Sequence, residues 1–177
     1  MSQRVFLIGY MGVGKTTVGH ALSRITGMPF YDLDWYIESR MHKKVSQIFA
    51  ESGEERFRLF EQSMLHEVAE FDQVILSCGG GTPCFFDNMD YLNQQGCTIY
   101  LKASPEVLCE HLRKARVERP LLKDKSPEEM QQHIRRQLAE REKYYSKAKH
   151  IVDVNQQTNF EHVKVTVDII RNLLNIS

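Results

Sequence analysis

Short apolar runs alternate with longer amphipathic segments along the 177-residue chain. Five of these runs predict β-strands, and most are continuously apolar, which is typical of strands covered on both faces. Their predicted bounds are 4–9, 29–34, 73–78, 97–102 and 150–154. The segments between them carry the spacing of amphipathic helices. Regular alternation of strand and helix predicts an α/β fold with a parallel sheet wrapped by helices.

Capping residues give the starting points of three helices. Ser104 stands before a proline, and residues 126–129 read Ser-Pro-Glu-Glu, a capping box with proline at the first helical position. Residues 158–161 read Thr-Asn-Phe-Glu and form another candidate box. We therefore expect helices to begin near residues 105, 127 and 159.

Composition narrows the class of protein. Apolar residues make up 42% of the chain, and 23 basic residues balance 23 acidic ones. Zero net charge does not favour a nucleic-acid partner, although a small anionic ligand needs only local positive charge. No apolar run reaches the roughly 20 residues that span a bilayer, and no signal-peptide pattern is present. These features favour a cytoplasmic protein without a membrane partner, and a monomer.

The cysteines do not indicate a metal or disulfide framework. No two of them form a C-x-x-C pair, and no histidine cluster accompanies them, so we interpret them as reduced thiols. The four are Cys78, Cys84, Cys97 and Cys109.

A glycine-rich motif follows the first predicted strand. Gly9, Gly14, Lys15 and Thr16 fit the pattern G-x-x-x-x-G-K-[ST], between a strand and a helix as the motif requires. The glycines allow backbone amides to point inward as an anion site, Lys15 would reach the terminal phosphates, and Thr16 would bind magnesium. The alternative is a glycine-rich turn that binds nothing, which a complete match in this context makes a poor explanation.

Two carboxylates stand near the end of the second predicted strand. Asp32 and Asp34 are two residues apart, so on a strand both would face the phosphates. Ligands of open parallel sheets bind at this end of the strands. One carboxylate could support magnesium and the other could bind a substrate hydroxyl. The alternative is that Asp34 caps the following helix.

Three glycines follow the third predicted strand. Gly79, Gly80 and Gly81 would allow a ligand to approach the backbone closely and would leave amides free to donate. A tight turn from strand to helix is the alternative, but such a turn needs fewer glycines.

Arginines complete the candidate chemistry. Arg58 lies beside the apolar stripe of a predicted helix with Glu61 three residues on, where a solvated ion pair is the ordinary explanation. Arg141 lies on the apolar stripe of the helix that begins near Pro127, so it needs an anion, either a core carboxylate or a ligand. Arg119 belongs to a polar stretch between two helices that could close as a lid over nucleotide.

The ordered motifs resemble the shikimate kinases over nearly the whole chain. The resemblance rests on the phosphate loop and on five further motifs: DLD at 32–34, FRLFE at 57–61, GGG at 79–81, RPLL at 119–122 and REKYY at 141–145. It implies a P-loop NTPase-type three-layer sandwich with a five-stranded parallel sheet in the order 2-3-1-4-5. It also implies one kinase domain over residues 1–177, with a phosphate loop at 9–17, a shikimate-binding region at about 34–61 and a lid at about 114–126.

The resemblance further implies transfer of the ATP γ-phosphate to the 3-hydroxyl of shikimate, in aromatic amino acid biosynthesis. Asp34 would hold the acceptor hydroxyl, and Lys15 and Arg119 would complete the catalytic set. Arg58 and Arg141 would bind the shikimate carboxylate with help from the Gly80 amide, and the glycine triplet 79–81 would belong to the substrate site. Mg²⁺ would lie near Thr16 and Asp32. The expected ATP contacts are Gly12, Val13, Gly14, Lys15, Thr16, Thr17, Arg113, Arg119 and Gln157.

Three other functions share parts of this pattern. A gluconate kinase has a similar loop and lid but has no need of two carboxylate-binding arginines. A nucleoside monophosphate kinase would need a second set of phosphate-binding arginines. A non-catalytic nucleotide switch would have no need of Lys15, Asp34 and Arg119 together.

Overall fold

A five-stranded parallel sheet in the order β2-β3-β1-β4-β5 forms the centre of the protein. This computed structural model describes residues 3–115 and 126–175. The strands are β1 (Gln3–Ile8), β2 (Phe30–Asp32), β3 (Gln73–Ser77), β4 (Cys97–Lys102) and β5 (His150–Asp153). Both the α/β class and the strand order confirm the prediction.

Seven helices lie along the described chain: α1 (Lys15–Thr26), α2 (Leu33–Met41), α3 (Val45–Ala69), α4 (Asn88–Gln95), α5 (Pro105–Lys114), α6 (Pro127–Tyr145) and α7 (Phe160–Leu174). A short 3-10 turn, Thr82–Cys84, follows β3. No helix in this part of the chain combines the length and apolar composition that a bilayer-spanning helix requires.

Alternate side chains of the central strand enter two separate apolar cores. Val5 and Leu7 of β1 pack with α1, α5 and α7 on one face, whereas Phe6 and Ile8 pack with α2, α3 and α4 on the other. All four side chains are fully buried. Because both faces are covered, the strand reads as a continuous apolar run, which is why the sequence pattern identified it.

The helix starts agree with the capping signals in two of three cases. The Ser104 and Ser126 side chains accept from the backbone N–H groups of Val107 and Glu129, and the capping box at Ser126 is complete. The predicted box at 158–161 is wrong by one residue. Asn159 caps α7 by accepting from the N–H of His162, because its own amide oxygen reaches that group.

Gly53 interrupts α3 with a backbone that side-chain-bearing residues avoid. Its angles are φ 76° and ψ 171°, inside a helix that otherwise runs over 25 residues. The resulting kink lets Phe49, before the break, stack on Phe57 after it, with ring centroids 4.3 Å apart. Phe57 directly precedes Arg58, so the kink helps to define the surroundings of that arginine.

We expect Gly53→Ala to destabilise the protein by about 1–3 kcal/mol, because alanine is strained at this φ and ψ. Crowding is not the cause, since a Cβ atom at Gly53 would meet no atom within 4 Å. Denaturant unfolding would measure the loss, with Ser52→Ala as the neighbouring control. An increase in stability would instead mean that α3 runs straight through residue 53.

Candidate active site

The phosphate loop adopts the strained backbone that its glycines predicted. Gly9, Gly12 and Gly14 all have positive φ, at 144°, 80° and 104°. Gly14 is the N-cap of α1 and no side chain caps that helix start. The first-turn N–H groups of α1 therefore point toward the cleft with the positive end of the helix dipole, an arrangement that binds anions.

Lys15 lies inside this loop. Its Nζ donates to the carbonyl oxygens of Gly9 at 2.8 Å and Tyr10 at 3.1 Å, and the residue is only 9% exposed. These bonds hold the ammonium group over the loop, next to the anion site at the start of α1. A phosphate chain bound there would exchange weak carbonyl partners for charged oxygens.

Thr16 and Asp32 lie side by side at the edge of the loop. The Thr16 hydroxyl donates to Oδ2 of Asp32 at 3.1 Å. Among the described residues, no cluster of three or more His, Cys, Asp or Glu side chains forms a metal site. One hydroxyl and one carboxylate nevertheless suit Mg²⁺, which takes few protein oxygens and completes its shell with water and phosphate.

Asp34 is not on a strand, contrary to the prediction. Strand β2 ends at Asp32, and Asp34 lies in the first turn of α2. The capping alternative is also corrected, because Asp32 is the N-cap and its Oδ1 accepts from the N–H groups of Asp34 and Trp35. Because α2 begins directly after this short strand, Asp32 lies at the end of the strand and Asp34 lies in the helix. The two carboxylates therefore do not share one face of a strand.

The surroundings of Asp34 favour its protonated form. Burial, and after it the negative charges of Asp32 and Glu61, raises the pKa of Asp34 from 3.8 to about 6, while Lys15 opposes the shift. A carboxyl group with this pKa is ionised at neutral pH yet retains more basicity than an exposed one. Both properties suit a group that accepts a proton from a hydroxyl.

In metal-free and nucleotide-free buffer, Asp34→Asn should stabilise the protein increasingly as pH rises. The folded pKa of Asp34 lies above its unfolded value, so ionisation costs stability between pH 3.8 and about 6. The gain of the variant over wild type should grow by up to about 3 kcal/mol between pH 4 and pH 7.5. Thermal unfolding across pH would measure it, with exposed Glu55→Gln as the surface control. A gain in stability that is the same at every pH would contradict the raised pKa of Asp34.

The glycine triplet is the point where the other predicted groups meet. A Cβ atom on Gly79 would lie 3.4 Å from Oδ1 of Asp34. A Cβ atom on Gly81 would lie 2.7 Å from Nη2 of Arg58, and one on Gly80 would lie 3.2 Å from Nη1 of Arg141. Side chains at these positions would displace both guanidinium groups, so close approach explains the triplet better than turn geometry does.

Arg58 is held by a buried carboxylate. Its Nη1 donates to Glu61 at 2.9 Å and its Nη2 donates to the exposed Glu54 at 3.2 Å. Glu61 is 1% exposed and also accepts from the Thr82 hydroxyl at 2.7 Å, so this is a buried pair and not the solvated pair that helical spacing suggested. Nε of Arg58 is buried and has no hydrogen-bond partner among the described residues.

Arg141 approaches the triplet from α6. Its guanidinium carbon lies 5.3 Å from the centre of the Tyr10 ring, and its Nη1 is likewise buried without a hydrogen-bond partner in the described chain. Tyr145 lies one turn farther along α6 and donates to the carbonyl of Gly80. The arginine therefore lies against Gly80, a residue that lines the cleft described next.

A cleft of about 390 Å³ joins the phosphate loop to the glycine triplet. Its lining residues are Met11, Gly12, Gly14, Lys15, Thr16, Thr17, Asp32, Asp34, Ser77, Cys78, Gly79 and Gly80. Backbone amides of the glycine-rich loop, a cation, two carboxylates and a second set of backbone amides thus line one cleft. Val13 lies behind the loop, fully buried.

Two predicted nucleotide contacts do not line this cleft, and a third falls outside the described residues. Gln157 packs behind the loop, where its Oε1 accepts from Thr166 at 2.8 Å and its Nε2 would lie 2.7 Å from a Cβ on Gly14. Arg113 is exposed in the last turn of α5, on a separate cavity between α5 and α6. Arg119 and the predicted lid residues from 116 to 125 lie outside the described residues.

Sequence reasoning missed two features of the site, the burial of Glu61 and the contact of Phe85 with Arg58. The burial of Glu61 depends on the packing of α3 against the 3-10 turn, which no local pattern reveals. Phe85 lies with its ring centre 4.0 Å from the guanidinium carbon of Arg58. The sequence feature that could have indicated Phe85 was the pair of aromatic residues shortly after the glycine triplet.

A P-loop joined to two carboxylates and two inward-facing arginines defines the molecule as a P-loop kinase of small molecules. The family model described as shikimate kinase matches residues 11–172. The chain therefore belongs to the shikimate kinase family.

Relatives and solved structures agree over the full length. The shikimate kinase of Phocaeicola vulgatus is 51% identical, covering 97% of this chain and 98% of the relative. The crystal structure of shikimate kinase from Bacteroides thetaiotaomicron is 44% identical with a TM-score of 0.95, each chain covered to 98%. Shikimate kinase from Acinetobacter baumannii, in complex with shikimate, is 29% identical with a TM-score of 0.85, covering 98% of this chain and 93% of that one.

Proposed function

We propose that this chain transfers the γ-phosphate of ATP to the 3-hydroxyl of shikimate, giving shikimate 3-phosphate and ADP for aromatic amino acid biosynthesis. One observation carries the substrate assignment. The Arg58 and Arg141 guanidinium groups lie against a glycine triplet that borders the phosphate cleft, and each has one buried N–H group, Nε of Arg58 and Nη1 of Arg141, without a partner among the described residues. Unpaired buried donors of this kind call for an anion in the bound state.

The acceptor carboxylate would lie between these donors. A carboxylate accepts two N–H bonds from one planar guanidinium edge, which a lysine cannot offer. Nε and Nη2 form such an edge on Arg58, with exposed Glu54 the partner to be displaced. Amides of the triplet 79–81, the Gly80 amide foremost, would complete the site. The Acinetobacter baumannii relative was solved with shikimate bound, which supports the choice of ligand.

The nucleotide would occupy the opposite end of the cleft. The amides of Gly12, Val13 and Gly14 and the side chains of Lys15 and Thr17 would hold its phosphates. Mg²⁺ would be held by Thr16 directly and by Asp32 through water, and it supplies positive charge that neutralises the phosphate oxygens. In this proposal, Arg119 adds charge from the lid, while Arg113 and Gln157 lie on the adenine side.

Asp34 would act on the acceptor hydroxyl. It lies between the phosphate loop and the triplet, and at neutral pH its carboxylate is ionised because its pKa is about 6. The carboxylate accepts the hydroxyl proton as the hydroxyl oxygen bonds to the γ-phosphorus, and the bond from that phosphorus to the bridging oxygen of ADP breaks. Positioning and charge neutralisation supply most of the rate, since the transferred group is loose and anionic.

A coupled assay of ADP release tests the assignment. We expect turnover with shikimate and no comparable turnover with gluconate, nucleoside monophosphates or other hydroxy acids. Preference for gluconate or a nucleoside monophosphate would mean that the chain is a kinase of that class instead. Tight ATP binding without turnover on any acceptor would instead indicate a nucleotide switch.

The same proposal places the chain in the cytoplasm as a monomer with one kinase domain over residues 1–177. Balanced charge supports the absence of a nucleic-acid partner. Sedimentation of the purified protein with and without ATP would measure the oligomeric state.

A further inference from the structure

Phe85 lies directly beneath the guanidinium group of Arg58. The guanidinium carbon is 4.0 Å from the centre of the Phe85 ring, compared with 5.4 Å for Phe57 and 5.9 Å for Phe49. Phe57 and Phe49 belong to α3 together with Arg58, whereas Phe85 comes from the segment between the 3-10 turn and α4. Phe85 is therefore the closest of these three aromatic neighbours and the one that links two elements of the site.

The segment that carries Phe85 is firmly anchored. The Thr82 hydroxyl donates to Glu61 at 2.7 Å, and the side-chain amide of Asn88 donates to the Thr82 carbonyl at 2.9 Å. Thr82 and Asn88 are fully buried. The next residue, Phe86, has a positive φ of 51°, a costly conformation for a bulky residue. The chain thus accepts local strain at the position that follows Phe85.

Phe85 and Glu61 restrain Arg58 in complementary ways. Glu61 accepts from Nη1, Glu54 accepts from Nη2, and the guanidinium carbon lies over the Phe85 ring. Carboxylates at two nitrogens and an aromatic ring against the carbon together restrict movement of the guanidinium group. Its Nε is buried and has no hydrogen-bond partner among the described residues.

We propose that Phe85 is a positioning residue for the acceptor, which fixes the orientation of the Arg58 guanidinium through a cation–π contact and so presents that group to the acceptor carboxylate. This proposal rests on the proposed function, because it requires a carboxylate-bearing acceptor bound by Arg58. Phe85 itself need not touch the acceptor. Its contribution should appear in acceptor binding and not in ATP binding or in the chemical step.

Kinetics of Phe85→Leu tests the proposal. Partly desolvated cation–π contacts contribute enough to expect a rise of about 5-fold to 30-fold in the KM for shikimate. We expect kcat and the KM for ATP to stay within about twofold, since the phosphate loop is untouched. Phe85→Tyr keeps the aromatic face and should restore the wild-type KM. Exposed Phe86→Leu is the matched control and should leave the KM for shikimate unchanged.

An unchanged KM for shikimate in Phe85→Leu would overturn the proposal. So would a variant in which both KM values rise and kcat falls by similar factors, if Phe85→Tyr does not restore them. If circular dichroism shows that Phe85→Leu is unfolded, Phe85→Met decides by the same criteria. Wild-type turnover separates the two proposals. A wild-type enzyme inactive on shikimate contradicts the proposed function, whereas an active one with an indifferent Phe85 contradicts only this inference.

Discussion

Replacing Lys15 with methionine should reduce kcat by about 10³-fold. Methionine matches the length of lysine but carries no charge, so the variant loses the cation held over the anion site. Removing one preorganised donor from developing charge costs about 10²-fold to 10³-fold in other enzymes, and Lys15 offers a full charge at a site that is largely buried. Steady-state turnover with saturating ATP and shikimate would measure the loss.

The matched control for this variant is Lys147→Met, which removes a lysine charge from a surface pair with Asp90. That variant should retain wild-type kcat. Thermal unfolding of the Lys15 variant is measured alongside, because the substitution leaves the buried carbonyl groups of Gly9 and Tyr10 without this donor, and kcat is compared at temperatures where the variant is folded. A kcat within tenfold of wild type would contradict the role of Lys15.

Replacing Arg58 with alanine should raise the KM for shikimate by about 10²-fold, with a smaller effect on kcat and none on the KM for ATP. Truncating one partner of a buried charged pair costs about 2–5 kcal/mol of binding. Arg58 lies against the glycine triplet and away from the phosphate loop, so ATP binding should not change. An unchanged KM for shikimate would reject the carboxylate-binding role.

Stability complicates this variant, and a second substitution resolves it. Arg58→Ala leaves the buried Glu61 carboxylate with Thr82 but without a cation, a change that costs about 3 kcal/mol of stability. Glu61→Gln added to Arg58→Ala removes the unpaired charge and keeps an acceptor for the Thr82 hydroxyl. The double variant should regain most of the stability and keep the raised KM for shikimate. Recovery of both together would mean that Arg58 acts only through folding.

Much of the fold and the phosphate site was predictable because both depend on local pattern. Strand β1 is apolar on both faces, and Gly9 and Gly14, the two glycines that the motif specifies, both have positive φ. The inward arginine of α6 was also predictable, since Arg141 stands on an apolar stripe at helical spacing. The residues that form each of these patterns lie within about twenty positions of one another along the chain.

The remaining features depend on contacts between distant segments. Asp34 was assigned to a strand because an apolar run precedes it, but Asp32 ends the strand by capping α2. Glu61 is buried and accepts from Thr82, 21 residues away along the chain. Phe85 meets Arg58 across a similar separation of 27 residues. Contacts between residues this far apart in the chain depend on how the helices and strands pack. The sequence of one chain does not show that packing.

In the proposed enzyme, one cleft holds a phosphate chain at one end and an acceptor carboxylate between two arginines at the other. The most direct test compares the binding of shikimate and its methyl ester to wild type and to Arg141→Gln. The single tryptophan, Trp35, is exposed next to Asp34 and offers a fluorescence signal.

In wild type the ester should bind about 10²-fold more weakly than the acid, and in Arg141→Gln only about 10-fold more weakly, a coupling of about 1.4 kcal/mol between the arginine and the carboxylate. The same ratio of ester to acid affinity in both proteins would contradict a carboxylate site at Arg141.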